Sequence, residues 1–266
     1  MNPGQSTVIT LDQQLYCKAK ELQWANDDQC KTIFLRLGGF HIAKNFMCAI
    51  GNHFASSGLP EVWAESTVFG ENTAQNNMQG KSYNRSIRAH KLTFEALWKM
   101  LWPSFIAWAT DHNANQGYLK TASCKVVKAL EQRENVTQTP NKVKDLEELL
   151  QNPNMHSLLE QFASSQAPTT QFWITYIQMV SVLLQFLRAE RTGNWDLHKS
   201  AFAAMLPWFA QYDHANYTRW GSVYLADVMQ LETSHPDVYQ EFKSGNFVVK
   251  TTHNPFNQLS TDQALE

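Results

Sequence analysis

The sequence predicts a mainly α-helical protein with a small α/β part at its beginning. Three observations carry this. Two short strand-like segments near the start, the first of them β-branched, each run directly into a helical pattern. From about residue 81 onward, apolar residues recur almost everywhere at the three-to-four-residue spacing of a helix. The chain is also rich in core material, with nine Trp and fifteen Phe among 266 residues. Hydrophobic residues make up 43% and charged residues 17%, which excludes a disordered chain.

The first strand is Thr7–Leu11 (TVITL). Asp12 follows at once, placed both as the last strand residue and as the N-cap of the next helix. In that helix, QQLYCKAKELQW, Leu15, Ala19 and Leu22 fall at helical spacing. KTIFLRLGG gives a second strand over residues 32–37, ended by Gly38 and Gly39, and FHIAKNFMCAIGNHF reads as a helix. Strand, helix, strand, helix implies a βαβ unit with a parallel pair, which needs neighbours to be stable.

Helices are expected over residues 83–109, with Pro103 as a kink or restart, and over 115–132, 145–150, 155–164, 170–191, 196–211 and 215–234. A short helix opens at Pro236 and closes at Gly245, and residues 247–250 read as a late strand. The terminal STDQALE has the composition of a helix's first turn, capped by Ser260 or Thr261. Both ends read as cuts through a larger domain. Residues 172–187 (FWITYIQMVSVLLQFL) are fewer than the ~20 of a spanning helix and are interrupted by Gln178, Ser181 and Gln185, so they are expected to be the most buried helix of the helical region.

A formal net charge of -2 gives no global basic field for nucleic acid, so such binding needs a local patch. Lys81, Arg85, Arg88, His90 and Lys91, interleaved with Tyr83 and Phe94, supply one that suits either phosphates or a solvated helix face. Cys17, Cys30, Cys48 and Cys124 form no CxxC pair, which excludes a zinc knuckle and a redox motif and leaves buried, reduced thiols. The N-terminus lacks a basic start followed by an apolar core, so an intracellular place, nucleus or cytoplasm, is expected rather than secretion.

Asp12, Asp262 and Glu266 are the acids open to a metal-dependent reading. Two-metal sites draw hard carboxylate oxygens from strand ends and a nearby helix. A capping role for Asp12 fits its position equally well. His41, just after Gly38-Gly39-Phe40, reads as a site residue or as an ordinary helix-start histidine.

Several blocks together, LDQQLYCKAKEL, FLRLGGFHIAKNFMCAIGNHFASSGL, GKSYNRSIRAHKL, DHANYTRWGSVYLADVMQLETSHPDVYQEFKSGNFVV and DQALE, resemble a group of uncharacterised animal proteins derived from DNA transposons. The wider resemblance is to transposases with an RNase H-like core and an Asp-Asp-Glu triad. It implies a partial RNase H-like βαβ core over residues 1–58, a helical insertion over 59–245, and a return strand with the start of a terminal helix over 246–266. Asp12 and Glu266 would then be catalytic metal ligands, with Asp262 as the alternative acid and His41 in the site wall. Mg²⁺ is the implied ancestral cofactor, and DNA the implied partner through Lys81, Arg85, Arg88 and Lys91.

The first Asp of such a triad lies on an earlier strand, and only eleven residues precede Asp12. The resemblance therefore implies ancestral DNA cutting and joining, with no activity in the polypeptide as it stands. The alternative is a non-catalytic helical module that binds protein or nucleic acid away from membranes.

Overall fold

The protein is described by a computed structural model over residues 6–112, 153–254 and 256–264. Among the described residues it is mainly α-helical with two small sheets. In order, β1 (Thr7–Leu11), α1 (Gln13–Ala25), α2 (Asp27–Cys30), β2 (Ile33–Leu37) and α3 (Gly39–Phe54) form the opening α/β part. There follow α4 (Leu59–Glu65), α5 (Glu71–Met78), α6 (Tyr83–Asp111), α7 (Pro153–Ser165), α8 (Pro168–Thr192), α9 (Trp195–Gln211), α10 (Ala215–Met229), α11 (Leu231–Ser234) and α12 (Pro236–Lys243). The strands β3 (Val248–Lys250) and β4 (Gln258–Ser260) come last.

β1 and β2 pair in parallel, with Thr7 opposite Ile33 and Leu11 opposite Leu37. Phe34 to Leu37 are all buried, as expected of a parallel strand covered on both faces. Asp12 starts α1 through its side chain, accepting a hydrogen bond from the Leu15 amide at 2.8 Å.

The inward face of α1 is not the apolar one. Tyr16 and Lys20 are buried, while Leu15 and Leu22 face solvent. Tyr16 sits edge-on to Trp220 and Tyr224 of α10, and the Lys20 ammonium meets Asp227 at 2.7 Å. The buried charge is matched, so the stripe of Leu15, Ala19 and Leu22 is released from the core.

Other expectations are revised as well. α6 continues helically through Pro103. Residues 215–234 break into α10 and α11 around Gln230, and α4 and α5 occupy a stretch for which no helix was expected. The first turn expected of STDQALE is present over residues 260–264, and residues 265–266 lie outside the described ones. Ser260 ends β4, which pairs antiparallel with β3, and one helical turn follows, closed by the Ala264 amide on the Ser260 carbonyl. The expected segments at 115–132 and 145–150, and Cys124, lie outside the described residues.

The chain separates into two compact units, Met1–Leu92 with Gln178–Glu266, and Thr93–Ile177. These limits differ from the three segments expected above. The division falls within α6 and α8, because α9 to α12 and the β3–β4 hairpin pack with the opening α/β part. The second unit has its own core of Trp102, Phe105, Ala109, Phe162 and Ile174. α8 is long and apolar enough to cross a membrane by length and composition, with 44% of its most apolar stretch buried. Over residues 172–187 only Gln178 and Gln185 are exposed, while Tyr176, Met179, Val180, Leu183 and Phe186 are fully buried.

At the centre of the first unit lies a buried polar network. The Arg36 guanidinium on β2 donates to the Phe247 carbonyl and to Thr261 Oγ1 at 3.0 Å, and lies against the rings of Phe242 and Phe247. Its charge faces Glu190 of α8 at 3.6 Å, and Glu190 also accepts from His198 Nδ1 of α9 at 2.7 Å. Burial alone would raise the Glu190 pKa. The His198 hydrogen bond and the charges around it outweigh that and hold it below the usual carboxylate value. Burial likewise keeps His198 neutral, with its pKa lowered against the pull of Glu190.

Two predictions follow from this burial. Arg36→Met leaves Glu190 charged without its cation, and chemical denaturation should show a loss of ~3–5 kcal/mol. Acid should weaken the fold in two windows. Burial lowers the pKa of His90 from 6.5 to about 4. Its contribution is therefore complete above 6.5 and declines as pH falls towards 4. Glu190 has a lowered folded pKa, so its contribution is complete above the ordinary glutamate value of 4.5 and is lost as pH falls further. A His90→Phe variant should lose less stability than the parent between the two His90 values, read by denaturation at stepped pH.

Candidate functional site

The ends of β1 and β2 set the site. Beyond their carboxyl ends begin α1 and α3, and the start of α10 comes up opposite them. Crevices outside the carboxyl ends of parallel strands are where open α/β folds bind ligands. Here the crevice is a cleft of about 530 Å³, lined by Asp12, Gln13 and Gln14 of the β1–α1 corner, by His41 and Asn45 of α3, and by residues 213–217 at the start of α10. Asp213 holds a left-handed backbone conformation, φ 59°, at its rim.

Asp262, near the end of the chain, contacts His41 of this cleft. Its carboxylate accepts from the Phe40 and His41 amides, each at 3.1 Å, and its Oδ2 lies 3.1 Å from His41 Nδ1. Gly38 has no side-chain cap to offer α3. A carboxylate from the far end of the chain supplies the missing acceptor and suits the positive end of the helix.

The two glycines make this approach possible. A Cβ at Gly38 would stand 2.0 Å from Asp262 Oδ2, and one at Gly39 would stand 2.3 Å from Glu190 Oε2. The sequence pattern marks Gly38-Gly39 only as a strand terminator. Their steric role towards two distant carboxylates has no local signature.

Thr261, the residue before Asp262, is linked to β1 by its hydroxyl donating to Thr10 Oγ1 at 3.3 Å. Tyr217 senses both acids. Burial raises its hydroxyl pKa most, and the charges of Asp262 and then Asp12 raise it further, against a hydrogen bond from Asn45. Asn45 Nδ2 donates to that hydroxyl at 3.4 Å and to the His41 carbonyl at 2.9 Å.

Asp12 and His41 thus line one cleft, Asp262 contacts His41, and Glu266 lies outside the described residues. A family model described as a domain of unknown function (DUF8702) matches residues 2–266. The chain belongs to the DUF8702 family. No curated protein and no solved structure matches it.

The basic residues of this DUF8702 chain divide into two kinds. Lys81, Arg85, Arg88 and Lys91 are exposed at and before the first turns of α6. His90, expected among them, is instead fully buried against the edge of Trp63 and belongs to the core. Tyr83, at the start of the same helix, packs on Phe40 with ring centroids 4.6 Å apart, so α6 begins beside the His41 corner.

The DUF8702 site was partly missed by sequence reasoning. Asn45, Asp213, His214 and Tyr217 line the cleft without any motif to announce them, because α3 and α10 meet only in the folded chain. Gly38→Ala should destabilise the protein by ~1–3 kcal/mol through its clash with Asp262. Asp262→Ala should cost about 1–2 kcal/mol for the lost cap. The double variant should cost less than the sum, since the second change removes the clash made by the first, and a double-mutant cycle from denaturation midpoints measures this.

Proposed function

We propose that this chain descends from a transposase with an RNase H-like core and that, in its present form, it binds nucleic acid without cutting or joining it. The placement of Asp12 after a parallel strand, of His41 after the next, and of Asp262 beside them supports the ancestry. The engagement of Asp262 carries the non-cutting half of the reading. Its carboxylate accepts from the Phe40 and His41 amides and lies against His41 Nδ1, and Asp12 uses Oδ1 to cap α1.

Mg²⁺ is the ion the resemblance implies, and the described residues do not fit it. A two-metal site needs several free carboxylate oxygens converging on hard cations. Among the described residues, no group of three or more His, Cys, Asp or Glu side chains is placed to hold a metal ion.

Binding falls to the exposed cations Lys81, Arg85, Arg88 and Lys91, which present charge for phosphates without a code for bases. With at most four phosphates neutralised, affinity should be modest and strongly salt-dependent.

Purified protein with Mg²⁺ or Mn²⁺ should therefore leave labelled single- and double-stranded DNA intact. Fluorescence anisotropy should show weak binding whose log–log salt slope is at most ~4 in magnitude. Arg85→Glu with Arg88→Glu should flatten that slope by ~2. Metal-dependent cutting that disappears in Asp12→Ala would overturn the proposal, as would binding indifferent to the double charge reversal.

A further inference from the structure

The apolar stripe of α1 has no partner in the first unit's core. Leu15 is 58% and Leu22 65% exposed, with the half-buried Ala19 between them, while Tyr16 and Lys20 occupy the inward face. Single exposed leucines are ordinary on protein surfaces. Three apolar residues at i, i+4 and i+7 are different, because they form one continuous strip along two turns of helix.

We propose that this strip binds a second copy of this chain, the two α1 helices packing antiparallel across a two-fold axis that passes near Ala19. The reason is self-complementarity. A two-fold axis requires one surface to fit itself. Counted outward from Ala19 in opposite directions, Leu15 comes beside Leu22 of the second copy, and Leu22 beside Leu15. Ala19, the smallest side chain of the strip, falls at the crossing point, where the backbones come closest.

Charge agrees with this register. Lys18 and Glu21 lie along one flank of the strip, paired with each other at 3.0 Å and with side chains 73% and 48% exposed. In an antiparallel pair the same flank of each helix meets, so Lys18 faces Glu21 of the second copy and Glu21 faces Lys18. Opposite charges meet on both sides of the axis, and the parallel arrangement gains no such pairing. A helix of 13 residues is ~20 Å long, so the contact sits near the low end of specific interfaces, and the dimer is weak and concentration-dependent.

Sedimentation equilibrium of the full chain, from low to high micromolar concentration, tests this. A reversible monomer–dimer equilibrium is expected. Leu22→Asp should raise the dissociation constant ~10-fold or more. Its thermal melting, at a concentration where the parent is monomeric, should be unchanged because the side chain is exposed. Lys18→Glu and Glu21→Lys should each weaken the dimer, and the two together in one chain should restore it. A chain that stays monomeric throughout overturns the proposal. So does a dimer indifferent to Leu22→Asp, or charge reversals that fail to rescue each other.

Discussion

A guanidinium withdrawn from water must be surrounded by acceptors, and that constraint organises the larger unit of this protein. Arg36 is 1% exposed in the middle of a buried strand. The chain answers it with a carbonyl from Phe247, a hydroxyl from Thr261 and the carboxylate of Glu190. Phe247 and Thr261 flank the terminal hairpin and Glu190 belongs to α8, so holding one cation draws the α/β part, α8 and the hairpin together. His198 then fills a remaining place on Glu190, and the Phe242 and Phe247 rings cover the cation's faces. Such a network is weak evidence for net stability. Its expense when any member is missing makes it strong evidence for a single arrangement.

The same logic recurs, on a smaller scale, between α1 and α10. Lys20 is buried with Asp227 as its counter-ion, and the Tyr16 hydroxyl reaches the same carboxylate at 3.3 Å. Because α1 is anchored by a polar seam, its leucines are not needed for attachment. A helix held by charge and aromatic edges can leave its apolar face for another purpose.

Much of the opening part was legible from sequence, since β-branched strands, a capping Asp12 and a glycine pair are local signals. The β1–β2 pairing, the α3 helix and the long helical runs follow from them. Other features were hidden for physical reasons. The stripe of Leu15, Ala19 and Leu22 marks α1 as a helix correctly and its buried face wrongly, because burial of Lys20 depends on an aspartate two hundred positions away. His90 looks like a member of a basic run, yet its place on the wheel turns it towards Trp63. β4, with only Gln258, Leu259 and Ser260, has no pattern of its own and is a strand because β3 pairs with it. The site divides the same way. Asp12, His41 and Asp262 stood out as polar residues beside structural breaks, whereas Glu190, Asn45 and Tyr217 acquire their roles only through tertiary approach.

The two glycines after β2 carry a consequence for the order of assembly. One lies against a carboxylate from α8 and the other against a carboxylate of the final turn. The turn that starts α3 is therefore clamped from both sides by residues synthesised long after it. A nascent chain can form α1 and α3 as they emerge, but their junction stays unlocked until residue 262 is available. Such long-range closure delays the decisive contacts until after synthesis of the whole unit. Until then the junction of β2 and α3 lacks both carboxylates that enclose it in the folded chain.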